Sequence, residues 1–111
     1  MKKIVDFLQT QKLIFKSLTE VMPKELGTRK KLNIYLGVDL KQYFACILHI
    51  QKKSRILQKE ARELMLLHEK LEAYNDSKIN KKYIYVEAPL CSKAKSLMEE
   101  NGWVVWHNDF S

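Results

Sequence analysis

Residues 43–55 read YFACILHIQKKSR. From Tyr43 to Ile50 nearly every position is apolar, without the alternation of a half-solvated strand. That is the pattern of a strand buried on both faces. Three cations follow at once, Lys52, Lys53 and Arg55, where a long amphipathic pattern begins. Cations at a helix N-terminus oppose its macrodipole. Their placement there predicts an anion, and phosphate suits both the cations and the open backbone N–H groups of a helix start.

On the N-terminal side, residues 32–38 (LNIYLGV) alternate, with Leu32, Ile34, Leu36 and Val38 on one face. Residues 39–42 supply a turn, so the two runs predict a β-hairpin. Gly37 inside the pattern predicts a bulge or a close approach by another group. On the C-terminal side, Leu57, Ala61, Leu64, His68 and Leu71 form one stripe, which predicts a helix over 55–74 with Ser54 as its N-cap. Residues 75–80 are turn-rich. A third strand is expected over Tyr83 to Glu87, stopped at Ala88 and Pro89. A short helix follows over 92–101, with Gly102 as its C′ residue, and then a last strand from Trp103 to Trp106.

At the start of the chain Ile4, Phe7, Leu8, Phe15, Leu18, Val21 and Met22 recur at spacings of three and four, which predicts a helix over 3–22 ended by Pro23 and Gly27. Residues 25–31 (ELGTRKK) read as a basic linker. The predicted order is αββαβαβ, a mixed four-stranded sheet with flanking helices, in a single α/β domain over 1–111. Its parts are an N-terminal helix within 1–24, the linker 25–31 and a sheet core over 32–107.

The 111 residues carry 20 Lys+Arg against 13 Asp+Glu, a net charge of +7. This favours an anionic partner. Nucleic acid is expected ahead of a membrane, because no segment joins a basic face to a bulky apolar one and none approaches the length of a membrane span. The two cysteines, Cys46 and Cys91, make no disulfide framework, and a cytoplasmic location is expected. Cys91 near a helix start has the placement of an activated thiol, but it has no CxxC partner and no histidine tied to it by sequence. His49, His68 and His107 lack metal-ligand spacing.

Over residues 32–106 the pattern resembles the PD-(D/E)xK nuclease superfamily of restriction endonucleases and Holliday-junction resolvases. In that family a β-meander carries an Asp and then a (D/E)xK tripeptide, followed by a helix and a strand. The resemblance puts Asp39 in the place of the first acid and Gln51, Lys52 and Lys53 in the place of the tripeptide. Alternation sets His49, Gln51 and Lys53 on one strand face. Val38 stands where the family has Pro, the second carboxylate is absent, and no first meander strand is visible. In an active enzyme Asp39 would be a ligand to Mg²⁺, the Gln51 amide a neutral one and Lys53 the cation beside the phosphate, with Glu20 or Glu87 as a further ligand.

The expectation is therefore a basic, restriction-endonuclease-like α/β protein with a degenerate site and no resident cofactor. It would bind nucleic acid through Lys52, Lys53, Arg55 and Lys59. Two alternatives are an active Mg²⁺-dependent nuclease using Asp39, Gln51 and Lys53, and a non-catalytic interaction module, including a homo-oligomer.

Overall fold

The computed structural model describes residues 2–108, leaving aside the side chains of Lys2, Lys3 and Val5. The elements are α1 (Lys2–Thr10), β1 (Phe15–Val21), β2 (Asn33–Asp39), β3 (Phe44–Gln51), α2 (Gln58–Asn75), β4 (Lys81–Glu87), α3 (Ser92–Glu100) and β5 (Trp103–Asn108). A 3-10 turn, Pro23–Leu26, lies between β1 and β2. The sheet has five strands in sequence order, β1 to β5. β1–β2 and β2–β3 are antiparallel, while β3–β4 and β4–β5 are parallel.

β3 is the centre, and its residues from Ala45 to Ile50 are all buried. Cys46, Leu48 and Ile50 face α2 and α3, joining Ile34, Ile84 and Val86 in a core with Leu64, Leu67, Leu71, Ala94 and Met98. Burial pushes the Cys46 thiol pKa up to about 12, as suits an inert core residue. On the other face Ala45 and Ile47 meet Tyr35, Tyr85 and the α1 residues Ile4 and Leu8. The parallel strands expected at the C-terminal end are present, with a crossover helix between each pair.

The N-terminal helix is shorter than its pattern predicts, and the sheet gains a fifth strand. α1 ends at Thr10. Lys12 adopts φ 62°, and the Leu13 amide donates back to the Leu8 carbonyl at 2.9 Å. Residues 15–21 then form β1 at the sheet edge. Its register slips between Phe15 and Ser17, so Lys16 is an extra, bulged residue. The bulge lets Phe15 and Leu18 face the same side although they are three apart. A spacing of three thus reads as a helix and folds as a bulged strand. The linker expected over 25–31 begins inside the 3-10 turn, and its remainder leads into β2.

α2 also begins later than expected. Ile56 is fully buried and pairs in parallel with Leu90. Its amide donates to the Pro89 carbonyl at 2.9 Å, and its carbonyl accepts from the Cys91 amide at 3.0 Å. These bonds tie Ile56 to the segment after β4, and residues 52–55 bend across the sheet end to reach it. The N-cap is Leu57 with no side-chain capping bond, so Ser54 does not cap the helix. Lys52, Lys53 and Arg55 precede the first turn, and only Lys59 lies within it. The first three cations therefore do not sit on the helix start and do not oppose its dipole.

Gly37 marks a close approach. A Cβ there would stand 3.0 Å from the Phe15 ring and 3.1 Å from Ile47 Cδ1. Gly37→Val is expected to destabilise the fold by about 2 kcal/mol through overpacking. A lowered urea midpoint with an unchanged m-value checks this.

Candidate nucleic-acid interface and the polar centre beside it

The strand directions sort the side chains of the predicted site to opposite ends of the sheet. β2 runs antiparallel to β3, with Val38 opposite Phe44 and Asn33 opposite His49. Asp39 therefore lies at the hairpin-turn end. Gln51 lies at the far end of β3, ~23 Å away by the rise along the strand. Asp39 is committed locally. Its Oδ1 accepts from the Lys41 and Tyr43 amides, both at 2.9 Å, and its Oδ2 accepts from Lys81 Nζ at 2.6 Å. The residue on β2 that adjoins His49 is Asn33.

The far end gathers a different set on the α1 face: Glu20 from β1, Asn33 from β2, His49 and Gln51 from β3, and Glu87 from β4. Glu87 Oε1 accepts from His49 Nε2 at 2.7 Å and from the Gln51 amide at 2.9 Å. His49 and Glu87 are only 4% and 8% exposed. The imidazole stacks on Tyr85 at 5.0 Å, and Tyr85 stacks on Phe7 of α1 at 3.8 Å. This column of rings fixes the histidine plane. Glu20 accepts from Asn33 Nδ2 at 3.1 Å.

Mg²⁺ requires about six oxygen ligands in an octahedron. At this end the one buried carboxylate already accepts two N–H groups on one oxygen, and position 33 offers a neutral amide. Glu20 and Glu87 stand on strands three spacings apart, ~14 Å. Among the described residues no three His, Cys, Asp or Glu side chains come together as a metal site. The donor set does not fit the ion.

The same sheet end is strongly basic. The segment 22–32 carries Lys24, Arg29, Lys30 and Lys31 against Glu25, and the segment 52–57 carries Lys52, Lys53 and Arg55 with no acid. Glu60 links the two segments, pairing with Lys52 and lying 3.7 Å from Lys30. Lys30 also reaches Glu63 at 2.7 Å. That ion pair holds the Glu63 carboxyl below its ordinary range, with Lys59 and Lys52 adding to the effect. Lys53, Arg55, Lys31, Arg29 and Lys24 are exposed. Cys91 N-caps α3, where the Ala94 and Lys93 amides, with Arg55 nearby, draw its thiol pKa down. His49 is turned to Glu87, and His107 Nε2 donates to the Ala88 carbonyl at 2.8 Å.

Asn33 and the His49–Glu87 pair go unnoticed in the sequence. The hairpin register contains the signal, because setting Val38 opposite Phe44 and counting back places Asn33 beside His49. Residues 25–31 likewise read as a linker, whereas the fold brings Lys30 and Lys52 onto one carboxylate.

Lys81 lowers the Asp39 pKa, with the Tyr43 and Lys41 amides assisting, and Asp39 raises that of Lys81. The stabilisation by Asp39 is present above its unfolded pKa and is lost as pH falls through the depressed folded value. That by Lys81 is present below its unfolded pKa and is lost as pH rises through the raised one. Urea melts across pH should therefore lose this contribution at both extremes. Lys81→Met should return the Asp39 midpoint towards the ordinary carboxylate value in an NMR titration.

No family model matches the chain, and no curated protein matches it. Solved structures do. EndoMS in its apo form superposes with a TM-score of 0.59 at 14% identity, over 97% of this chain and 45% of that one. An EndoMS–dsDNA2 complex gives 0.54 at 14% identity, over 99% and 44%. A repair endonuclease from Pyrococcus abyssi gives 0.55 at 12% identity, over 98% and 46%. The chain spans less than half the length of these proteins. The shared chain course, from an edge strand through a meander to two parallel crossovers, is that of a restriction-endonuclease-like α/β fold.

Proposed function

We propose that this protein binds nucleic acid through the basic sheet end and does not cut it. The observation that carries the reading is the convergence of the two basic segments through Glu60, which sets seven cations against one loop carboxylate. Lys53 and Arg55 are its leading contacts, with Lys31, Arg29 and Lys59 around them. Lys52 holds Glu60 and shapes the surface. Lys and Arg side chains spread over one face suit a row of phosphates, and backbone contact of this kind reads charge and shape ahead of sequence. A duplex is the favoured ligand, because EndoMS, of similar chain course, was solved with double-stranded DNA.

The absence of cleavage follows from the site chemistry. Asp39 is remote and paired with Lys81, and Glu87 faces two N–H donors. The interaction-module alternative has its surface at the opposite sheet end, where Ile14, Leu40 and Tyr43 are exposed, Leu40 at 68%.

Replacing Lys31, Lys53 and Arg55 together by Gln is expected to weaken duplex binding regardless of sequence. It should also flatten the slope of log K against log salt by roughly 0.9 for each phosphate no longer engaged. The matched triple Lys12, Lys41 and Lys78 to Gln, at the turn end, should leave both nearly unchanged. Equal weakening by the two triples would reduce the interface to net charge alone. Incubation with Mg²⁺ or Mn²⁺ is expected to leave DNA and RNA intact, and cleavage abolished by Glu87→Gln would restore the active-nuclease reading.

A further inference from the structure

We propose that the His49 imidazole and the Gln51 amide have replaced a divalent cation, so that the centre around Glu87 is complete without metal. This buried cluster stands apart from nucleic-acid binding by the loops.

Three observations converge. First, strand register sets Asn33 opposite His49 and Gln51 opposite Glu87, at the start of β2 and the carboxyl ends of β3 and β4. Open α/β sheets characteristically bind ligands at the carboxyl ends of their parallel strands. Second, the position facing Glu87 is filled by donors. His49 Nε2–H and Gln51 Nε2–H both point at Oε1, so the carboxylate charge is met by protons where a metal would otherwise meet it. A metal bound through Nε2 would first have to displace that proton. Third, the arrangement is rigid and dry. Phe7 and Tyr85 hold the imidazole in a stack, and both partners of the bond are buried. Moving the ring aside for an ion would break the stack on Tyr85 and the bond to Glu87.

His49 and Gln51 stand beside Glu87 and turn N–H donors to its carboxylate where a Mg²⁺ or Mn²⁺ site would need oxygen ligands. Exchanging both for carboxylates should convert a self-satisfied cluster into a cation site.

Manganese binding followed by electron paramagnetic resonance and by thermal shift tests this. The wild type is expected to bind no Mn²⁺ at millimolar concentration and to keep its melting midpoint when Mg²⁺ or Mn²⁺ is added. Its His49 Nε2–H resonance should be protected from exchange and unmoved by Mg²⁺. His49→Glu with Gln51→Glu should acquire Mn²⁺ binding and a metal-dependent rise in melting midpoint, both abolished on adding Glu87→Gln. Wild-type Mn²⁺ binding that disappears in Glu87→Gln would overturn the proposal. A folded double variant that ignores Mn²⁺ would do the same, because it would remove the claim that these positions surround one ion. If the double variant does not fold even with Mn²⁺, the wild type and Glu87→Gln decide the matter between them.

Discussion

The complete burial of β3 is the constraint from which the rest of the molecule follows. A strand apolar on both faces must be covered on both, and it needs hydrogen-bonded neighbours along both edges. β2 supplies one edge by a tight turn and β4 the other by a crossover. The crossover obliges α2 to lie on one face, and α1 closes the opposite one. The two faces are covered unequally, by two helices and by one helix of nine residues. The polar groups collect on the thinner side at the strand ends, where the side-chain layer meets solvent.

The central hairpin, both crossovers and the α3 terminus at Gly102 were legible in the sequence because each rests on local pattern: alternation, a 3.6-residue stripe or a glycine at φ 85°. β1 was not legible. Its bulge at Lys16 gives Phe15 and Leu18 a helical spacing, and only tertiary contact with α1 and Gly37 separates the two readings. The start of α2 was obscured for a related reason. Ile56 is drawn into a bridge with Leu90, far along the chain, and no local rule anticipates that pairing. For the site, residue types were visible but their placement was not. Asp39 is an acid at a strand end before a turn, which suits a ligand and a turn residue alike, and the structure makes it the hub of the turn, held also to Lys81. Read without strand register, the motif joins residues that the hairpin sets at its opposite ends.

The electrostatic layout follows the same division. Acids on the basic side are already engaged: Glu60 and Glu63 anchor Lys30 and Lys52 to α2, and Glu87 is held below the surface. Each such pair is worth little to stability when exposed. Its effect is on shape, because it sets the two loops side by side while Lys31, Lys53 and Arg55 project outward. A buried hydrogen-bonded pair such as His49–Glu87 differs. Removing either partner leaves polar groups without solvent, so the centre constrains the fold more than the surface pairs do.

The ring column of Phe7, Tyr85 and His49 ties that centre to α1, the nine-residue helix over this face. A nine-residue helix has little stability of its own, and α1 is held through Ile4, Phe7 and Leu8. Its detachment would uncover Tyr35, Ala45 and Ile47 while the α2–α3 side stayed packed, a sub-global opening. Water would then reach the His49–Glu87 bond while the basic loops, anchored to the other face, kept their places. The polar centre thus has a stability set by one short helix, and the basic surface has one set by the other side of the sheet.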